Sequence, residues 1–508
     1  MSKPMMSASR RLFLRHVGTL SALGTVGAPL ALNLAAMGSA AAQTAGDYKA
    51  LVCVFMFGGN DAFNMVLPTD TASWSAYTSV RRQEGEPIAL LPAGTARNAA
   101  SSSVLERLGG VLPIAPTRAQ GRSFALHPAM GALQTLFDTD KRLAIVANVG
   151  PLKMPTTKAQ FALASHPKPA NLFSHNDQQN TWQSFAPEGA TLGWGGRMAD
   201  LLAAGTGLNM QQAMFTSISA AGNAVWLTGD TVRQYQVSPK GAIRMGARSN
   251  GKIFESLEVT AALERIARQP RSSHMLEQDL AAVAARSLDA EALLRGALPP
   301  ATDAAFAGSL EYVDPASTSG ASATNPLAQQ MQIVARMIHA GRSGALGVRR
   351  QVLFVSLGGF DTHDKQNSNH AKLMAQLAHG LAWLDTSLGS MGARSDVTAF
   401  TASDFGRTFT SNGDGTDHGW GSHHFVMGGA VRGGDLYGNF PVLGAKNAND
   451  NNFDSSPNQL QNGALLPEVA VNQLGATLAK WFGVVDSLLN GVFPNLGAFS
   501  TRDLGFMA

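Results

Sequence analysis

The chain contains a single cysteine, Cys53, which excludes an intrachain disulfide framework. Cys53 sits inside an apolar run, so the expectation is a small buried core residue rather than a nucleophile. No Gly-x-Ser-x-Gly nucleophile elbow occurs, which sets aside a metal-free α/β hydrolase of the Ser-His-Asp kind. The sulfatase pattern Cys/Ser-x-Pro-x-Arg is missing around Cys53 and Ser174, which disfavours a formylglycine sulfatase. Internal repeats and low-complexity tracts are also lacking. Charge is sparse, at 15% Asp, Glu, Lys and Arg.

The net charge of +4 belongs to the first residues. Lys3, Arg10, Arg11 and Arg15 are four of the 39 basic residues, and no acid precedes Asp47; without them 35 basic residues face 35 acidic ones. A neutral remainder implies no basic surface, so nucleic acid is not an expected partner. The same residues form a recognisable leader. Ser9-Arg10-Arg11-Leu12-Phe13-Leu14-Arg15 is a twin-arginine pattern, followed by a mildly apolar stretch, Val17 to Met37, and the small-residue site Ala40-Ala41-Ala42. Residues 1–42 are therefore read as a cleaved twin-arginine signal peptide. The expected location is periplasmic or secreted, with the twin-arginine translocation machinery as a partner and no permanent membrane anchor.

Beyond the leader, short unbroken apolar runs end at Gly or polar clusters: Leu51–Phe57, Leu143–Val149, Gln351–Leu357, Val397–Thr401 and His424–Val431. Such runs read as strands covered on both faces. Helical spacing occupies His127–Phe137, Pro326–Ala340, His370–Leu388 and Pro467–Phe482. The alternation predicts an α/β fold built on a mainly parallel, doubly wound sheet with helices on both faces. Residues 43–508 are read as one domain, with a partly helical insertion at about 212–325. Within it, Met214–Thr228 reads as a hairpin, Thr260–Leu298 as helical and Leu298–Asn325 as a loop.

Three of the strand ends carry an aspartate: Asp61, Asp361 with His363, and Asp404. Parallel strands bring such groups to one edge of the sheet, where α/β proteins bind ligands. Converging carboxylates without cations repel one another, and a divalent metal converts that repulsion into ligation. Asp417-His418 and His423-His424 supply further candidate ligands. Each aspartate alone also fits a turn or helix cap. Arg407 is placed to hold an anion or to pair with a neighbouring carboxylate.

Four ordered motifs, Phe57-Gly-Gly-Asn-Asp-Ala-Phe-Asn64, Gly358-Gly-Phe-Asp-Thr-His363, Ser403-Asp-Phe-Gly-Arg-Thr408 and Gly415-Thr-Asp-His-Gly419, together with the leader, resemble the exported domain of unknown function 1501 family from about Asp47 to Gly483. That family is similar in turn to the alkaline phosphatase and sulfatase superfamily, which implies an alkaline-phosphatase-like fold with a two-metal site at the strand ends. The resemblance implies metal ligation by Asp61, Asp361, His363, Asp404, Asp417, His418 and His423, the last as a competitor of His418. It also implies catalytic roles for Ser174, His175 and Arg407. Phe405 stands where a histidine ligand would be, and Ser174 reads equally as a helix N-cap. The implied activity is hydrolysis of phosphate or sulfate esters with Zn, Mn, Mg or Ca, acting on a small anionic ester or an envelope polymer. The alternative is an inactive exported binding or assembly protein that keeps the fold.

Overall fold

The computed structural model describes residues 48–82, 86–206, 209, 213–242 and 251–508, so the leader lies outside the described residues. Ten strands form the main sheet: β1 Lys49–Phe57, β2 Leu143–Gly150, β3 Ser217–Ser219, β4 Tyr235–Ser238, β5 Gly241–Ala242, β6 Arg350–Gly358, β7 Val397–Ser403, β8 Ser422–Gly428, β9 Leu436–Tyr437 and β10 Val469–Ala470. The order is β9-β2-β8-β7-β1-β6-β3-β4-β5, with β10 also on β2. β1 lies between β6 and β7, parallel to both. The helices used below are α1 Thr71–Arg81, α2 Gly131–Asp138, α3 His175–Ser184, α4 Trp194–Thr206, α5 Pro326–Arg342, α6 Gln366–Ser390 and α7 Val471–Phe482.

The unbroken apolar character of β1 follows from its position. Ala50, Val52, Val54 and Met56 point to one face and pack with residues of α2, α5 and α6, whereas Leu51, Cys53 and Phe55 point to the other and pack with α4 and α7. Side chains alternate along a strand, so a strand covered on both faces needs an apolar residue at every position. Cys53 is buried among them, and burial pushes its thiol well above the usual range. No described helix is long and apolar enough to cross a membrane.

Three expectations change. The sheet is mixed: six of its nine strand pairings are parallel, but β8 runs antiparallel to both β7 and β2, and β5 antiparallel to β4. Residues 214–228 do not form a hairpin. Ser217–Ser219 joins the main sheet parallel to β6, and the chain then turns so that Trp226 is buried against α4. Glycines make that approach possible: a Cβ on Gly193 would stand 2.3 Å from the Trp226 Cα. The segment at 212–325 therefore begins by extending the sheet and only later becomes helical, at Leu257–Arg268 and Met275–Ala297. Its end carries a two-stranded ribbon, Glu311–Val313 with Ser322–Thr324, where a plain loop was expected.

Adjacent residues of β8 show how register sorts side chains. His423 accepts a 3.1 Å hydrogen bond from the Asn148 amide and stacks on Phe440. His424 faces Trp182 on the other side. Burial pushes both imidazoles down to about 3, and pushes His370 on α6 down to about 4. These groups are neutral in the fold and regain a pKa near 6.5 when unfolded. The unfolded chain therefore binds more protons between those limits, and stability falls as pH drops below about 6.5. Urea unfolding should show a lower midpoint at pH 5 than at pH 7.5, with a shallower pH dependence in His423→Gln/His424→Gln. An unchanged dependence in that variant would contradict this assignment.

Candidate metal centre

The strand ends are drawn together by two glycines. Gly58 and Gly59 follow β1 with φ of +115° and +85°, conformations that side-chain-bearing residues rarely adopt. A Cβ on Gly58 would stand 2.3 Å from the Asp361 amide nitrogen, and one on Gly59 2.4 Å from the Phe405 ring. Asp361 after β6 and Asp404 after β7 thus close around the end of β1. Helix α3 enters over this edge with His175 as its first residue. The loop before β8 returns beneath it, pinned by a bridge between Arg407 and His418.

His175, Asp361 and His418 form a group whose ligand atoms all lie within 4.8 Å of one another. His175 Nε2 is 3.4 Å from Asp361 Oδ2, and His418 Nε2 is 3.3 Å from Asp361 Oδ1. Two donors each 2.0–2.1 Å from one ion at tetrahedral angles stand about 3.3 Å apart, so the spacing suits a shared cation. His363 Nε2 adjoins this group, 3.0 Å from both Asp361 Oδ1 and His418 Nε2.

Hydrogen bonds on the far ring nitrogens orient all three imidazoles. His175 Nδ1 is 2.7 Å from Asp404 Oδ2, His363 Nδ1 is 3.2 Å from Asp417 Oδ1, and His418 Nδ1 is 2.7 Å from the Phe173 carbonyl. Each partner is an acceptor, so in the neutral ring Nδ1 carries the proton and Nε2 presents a lone pair. Three lone pairs then converge on a carboxylate. That arrangement is repulsive unless a cation or protons sit among them, and the donor set fits a divalent metal.

Electrostatics follow from the contacts. The Asp404 hydrogen bond and charge, with Asp361, raise the His175 pKa above the ordinary imidazole value against the opposing effect of burial and Arg407. Burial lowers that of His418, assisted by Arg407 and His175. Burial also opposes ionisation of Asp361, but the Arg407 hydrogen bond and charge outweigh it and hold the carboxyl below its usual range. Phe405, the residue standing in place of a histidine, packs its ring 4.9 Å from His175 and 4.6 Å from His418. It forms an apolar wall beside the imidazoles.

Several expected ligands stand elsewhere. Asp61 is sealed in an ion pair: Arg81 donates to its two oxygens at 2.7 and 3.0 Å, Gln366 donates at 2.5 Å, and the Phe63 amide binds it as a helix cap. Asp404 and Asp417 approach the cluster through histidines and are outer partners rather than direct ligands. His423 lies in the core, as described above. Arg407 has no free face for an anion, since it donates to Asp361, the Gly58 carbonyl and both oxygens of Thr416. Ser174, with the Asn171 side chain and the Glu188 amide, holds the Asp177 carboxyl below its usual range. Ser174 occupies the N-cap position of α3, but its side chain makes no cap hydrogen bond.

Three contributors escaped the sequence reading. The Phe173 carbonyl has no side-chain signature, although its left-handed backbone, φ 75°, is an uncommon state for an aromatic residue. Gln179, one turn after His175, donates to Asp404 at 2.8 Å. Arg81 is fully buried and satisfies Asp61 from twenty residues away.

The chain belongs to the family of proteins of unknown function DUF1501, whose model matches residues 48–486. No curated protein matches it. A solved structure described as the crystal structure of Ps i-CgsB is similar over 90% of this chain and 77% of that one, at 9% identity and a TM-score of 0.32, a likeness too slight to carry any argument.

The buried pair yields a stability prediction. Arg81→Met leaves Asp61 charged and uncompensated in the interior and should cost about 3–5 kcal/mol. Denaturant unfolding measures it; a loss under about 1 kcal/mol, the scale of an exposed pair, would contradict a sealed ion pair.

Proposed function

For this member of the DUF1501 family, we propose a metal-dependent hydrolase of phosphate or sulfate esters, exported through the twin-arginine machinery and related in fold to the alkaline phosphatases and sulfatases. The observation that carries the chemistry is the convergence of His175 Nε2, His418 Nε2 and Asp361, each held by a partner behind it. The fold relationship draws support from parallel strand ends that present these groups under helices on both faces. The export reading draws support from Arg10-Arg11 and Ala40-Ala41-Ala42.

In this reading His175, Asp361 and His418 hold the cation. A bound cation would supply Lewis acidity toward the charge that develops on the transferred phosphoryl or sulfuryl group. Arg407 fixes the Asp361 carboxylate by its 2.7 Å hydrogen bond. His363 stands on the solvent side, and with Asp417 on Nδ1 it is suited to accept a proton at Nε2 from an attacking water. Water forms the new bond to phosphorus or sulfur as the bond to the ester oxygen breaks, and that oxygen takes up a proton from solvent, which in turn regains the one held by His363. Water rather than Ser174 is the nucleophile in this reading, since Ser174 sits beside Asp177, whose carboxyl it helps hold below its usual range. The Phe405 ring keeps water from one side of the imidazoles.

A second reading has its own support. Arg407 is fully buried with four of its five donors engaged, and Ser174 sits against Asp177, which favours an exported binding protein that holds a metal but turns over nothing. A screen of aryl phosphate and sulfate esters, with Zn, Mn, Mg and Ca added singly to the purified protein, separates the two. The hydrolase reading predicts turnover that is abolished by chelation and reduced at least about a hundredfold in His363→Asn, within the range general-base loss costs. Metal retention without turnover on any ester would favour the binding protein.

A further inference from the structure

The strand-end carboxylate that a second ion would most need, Asp61, is already neutralised by the chain itself. Asp61 is the strand-end group best placed by topology to share a cation with Asp361. Instead it faces Arg81, whose guanidinium donates to both Asp61 oxygens, to Asn64 Oδ1 and to the carbonyls of Thr408 and Phe409. Those five hydrogen bonds use every donor of the side chain. Both partners of the pair are fully buried.

Asp61 is also separated from the cluster by packed side chains. Gln366 donates to Asp61 and accepts from Thr416 at 2.6 Å, Thr416 accepts from Arg407 at 3.3 Å, and Arg407 donates to Asp361. An ion touching both aspartates would have to displace this layer. Of the remaining carboxylates, Asp404 Oδ2 accepts from His175, Gln179 and the Gly58 amide while its Oδ1 is buried without a hydrogen-bond partner, and Asp417 Oδ1 is bound by His363 and Asn412.

We propose that the site is mononuclear and selective for a zinc-like late first-row cation, with the Arg81 guanidinium serving permanently as the positive charge a second metal would otherwise bring to the strand ends. The inference rests on the metal-dependent reading above. The selectivity follows from the donors: two imidazole nitrogens with one carboxylate suit zinc and its neighbours, whereas magnesium and calcium prefer oxygen shells. Arg81 also differs from a metal in being covalently fixed, so the Asp61 side of the edge keeps its charge balance whatever the metal supply.

The test is calorimetric titration of the chelator-treated, leader-free protein with Zn2+, with metal analysis after dialysis. The expected stoichiometry is one per chain, unaffected by millimolar Mg2+ or Ca2+. Asp361→Asn should weaken binding by more than about a hundredfold, beyond the cost of losing an outer partner. Asp404→Asn should weaken it by about 10–100-fold at unchanged stoichiometry. Asp61→Asn should still bind one equivalent. Two equivalents in the unmodified protein, loss of the ion in folded Asp61→Asn, or displacement by Mg2+ would each overturn the mononuclear assignment. Zero equivalents would remove the metal-dependent reading itself. The unmodified protein's stoichiometry decides the question even should Asp61→Asn not fold.

Discussion

A buried ion pair, Asp61 with Arg81, sets what the open edge of the sheet can do. Strand packing forces aspartates after β1, β6 and β7 into proximity, and two of them, Asp61 and Asp404, bring charge into the interior while Asp361 stays partly exposed. One is answered from within the chain by a guanidinium that spends all its donors. Removing either partner would leave an isolated charge in the interior, which is costlier than never having buried the pair. The pair thus holds α1 against the strand ends and takes one carboxylate out of the chemistry.

The remaining charge is organised around Asp361. Arg407 answers one side of it from below, through a guanidinium buried against the Gly58 and Thr416 carbonyls. From above, His175, His363 and His418 present Nε2 atoms whose orientation is set by acceptors on Nδ1. This division between inner groups that meet and outer groups that aim them is what a metal-binding edge requires. It also explains the composition of the loop 411–421. Asp417 and His418 are neighbours in sequence but serve different layers, one holding His363 and the other joining the cluster.

The strands and major helices were legible because burial on both faces writes a continuous apolar run, as in Leu51–Phe57, and because helix spacing is periodic, as in Pro326–Arg342. The direction of β8 was not legible, since an apolar run such as Phe425–Met427 reads alike in either sense. Residues 214–228 misled because the turn residues Gly222-Asn223 suit a hairpin equally well; the burial of Trp226 against Gly193, a contact between distant segments, decided otherwise. Among the site residues, Asp361, His363, His175 and His418 were recoverable from motifs. The roles of Asp61 and Asp404 depend on which partner faces each oxygen, and Arg81, Gln179 and the Phe173 carbonyl leave no mark near the aspartates in sequence. His423 lies within β8 whereas His418 stands in the loop before it, and strand register, a one-residue matter, then decides that His423 and His424 meet opposite sides of the sheet.

X-ray absorption at the metal edge of the zinc-loaded protein tests the central claim most directly. A mixed first shell of imidazole nitrogen and carboxylate oxygen, with the outer-ring scattering of about two histidines and no second metal near 3.5–4 Å, is the predicted result. An all-oxygen shell, or a metal neighbour at that distance, would contradict it.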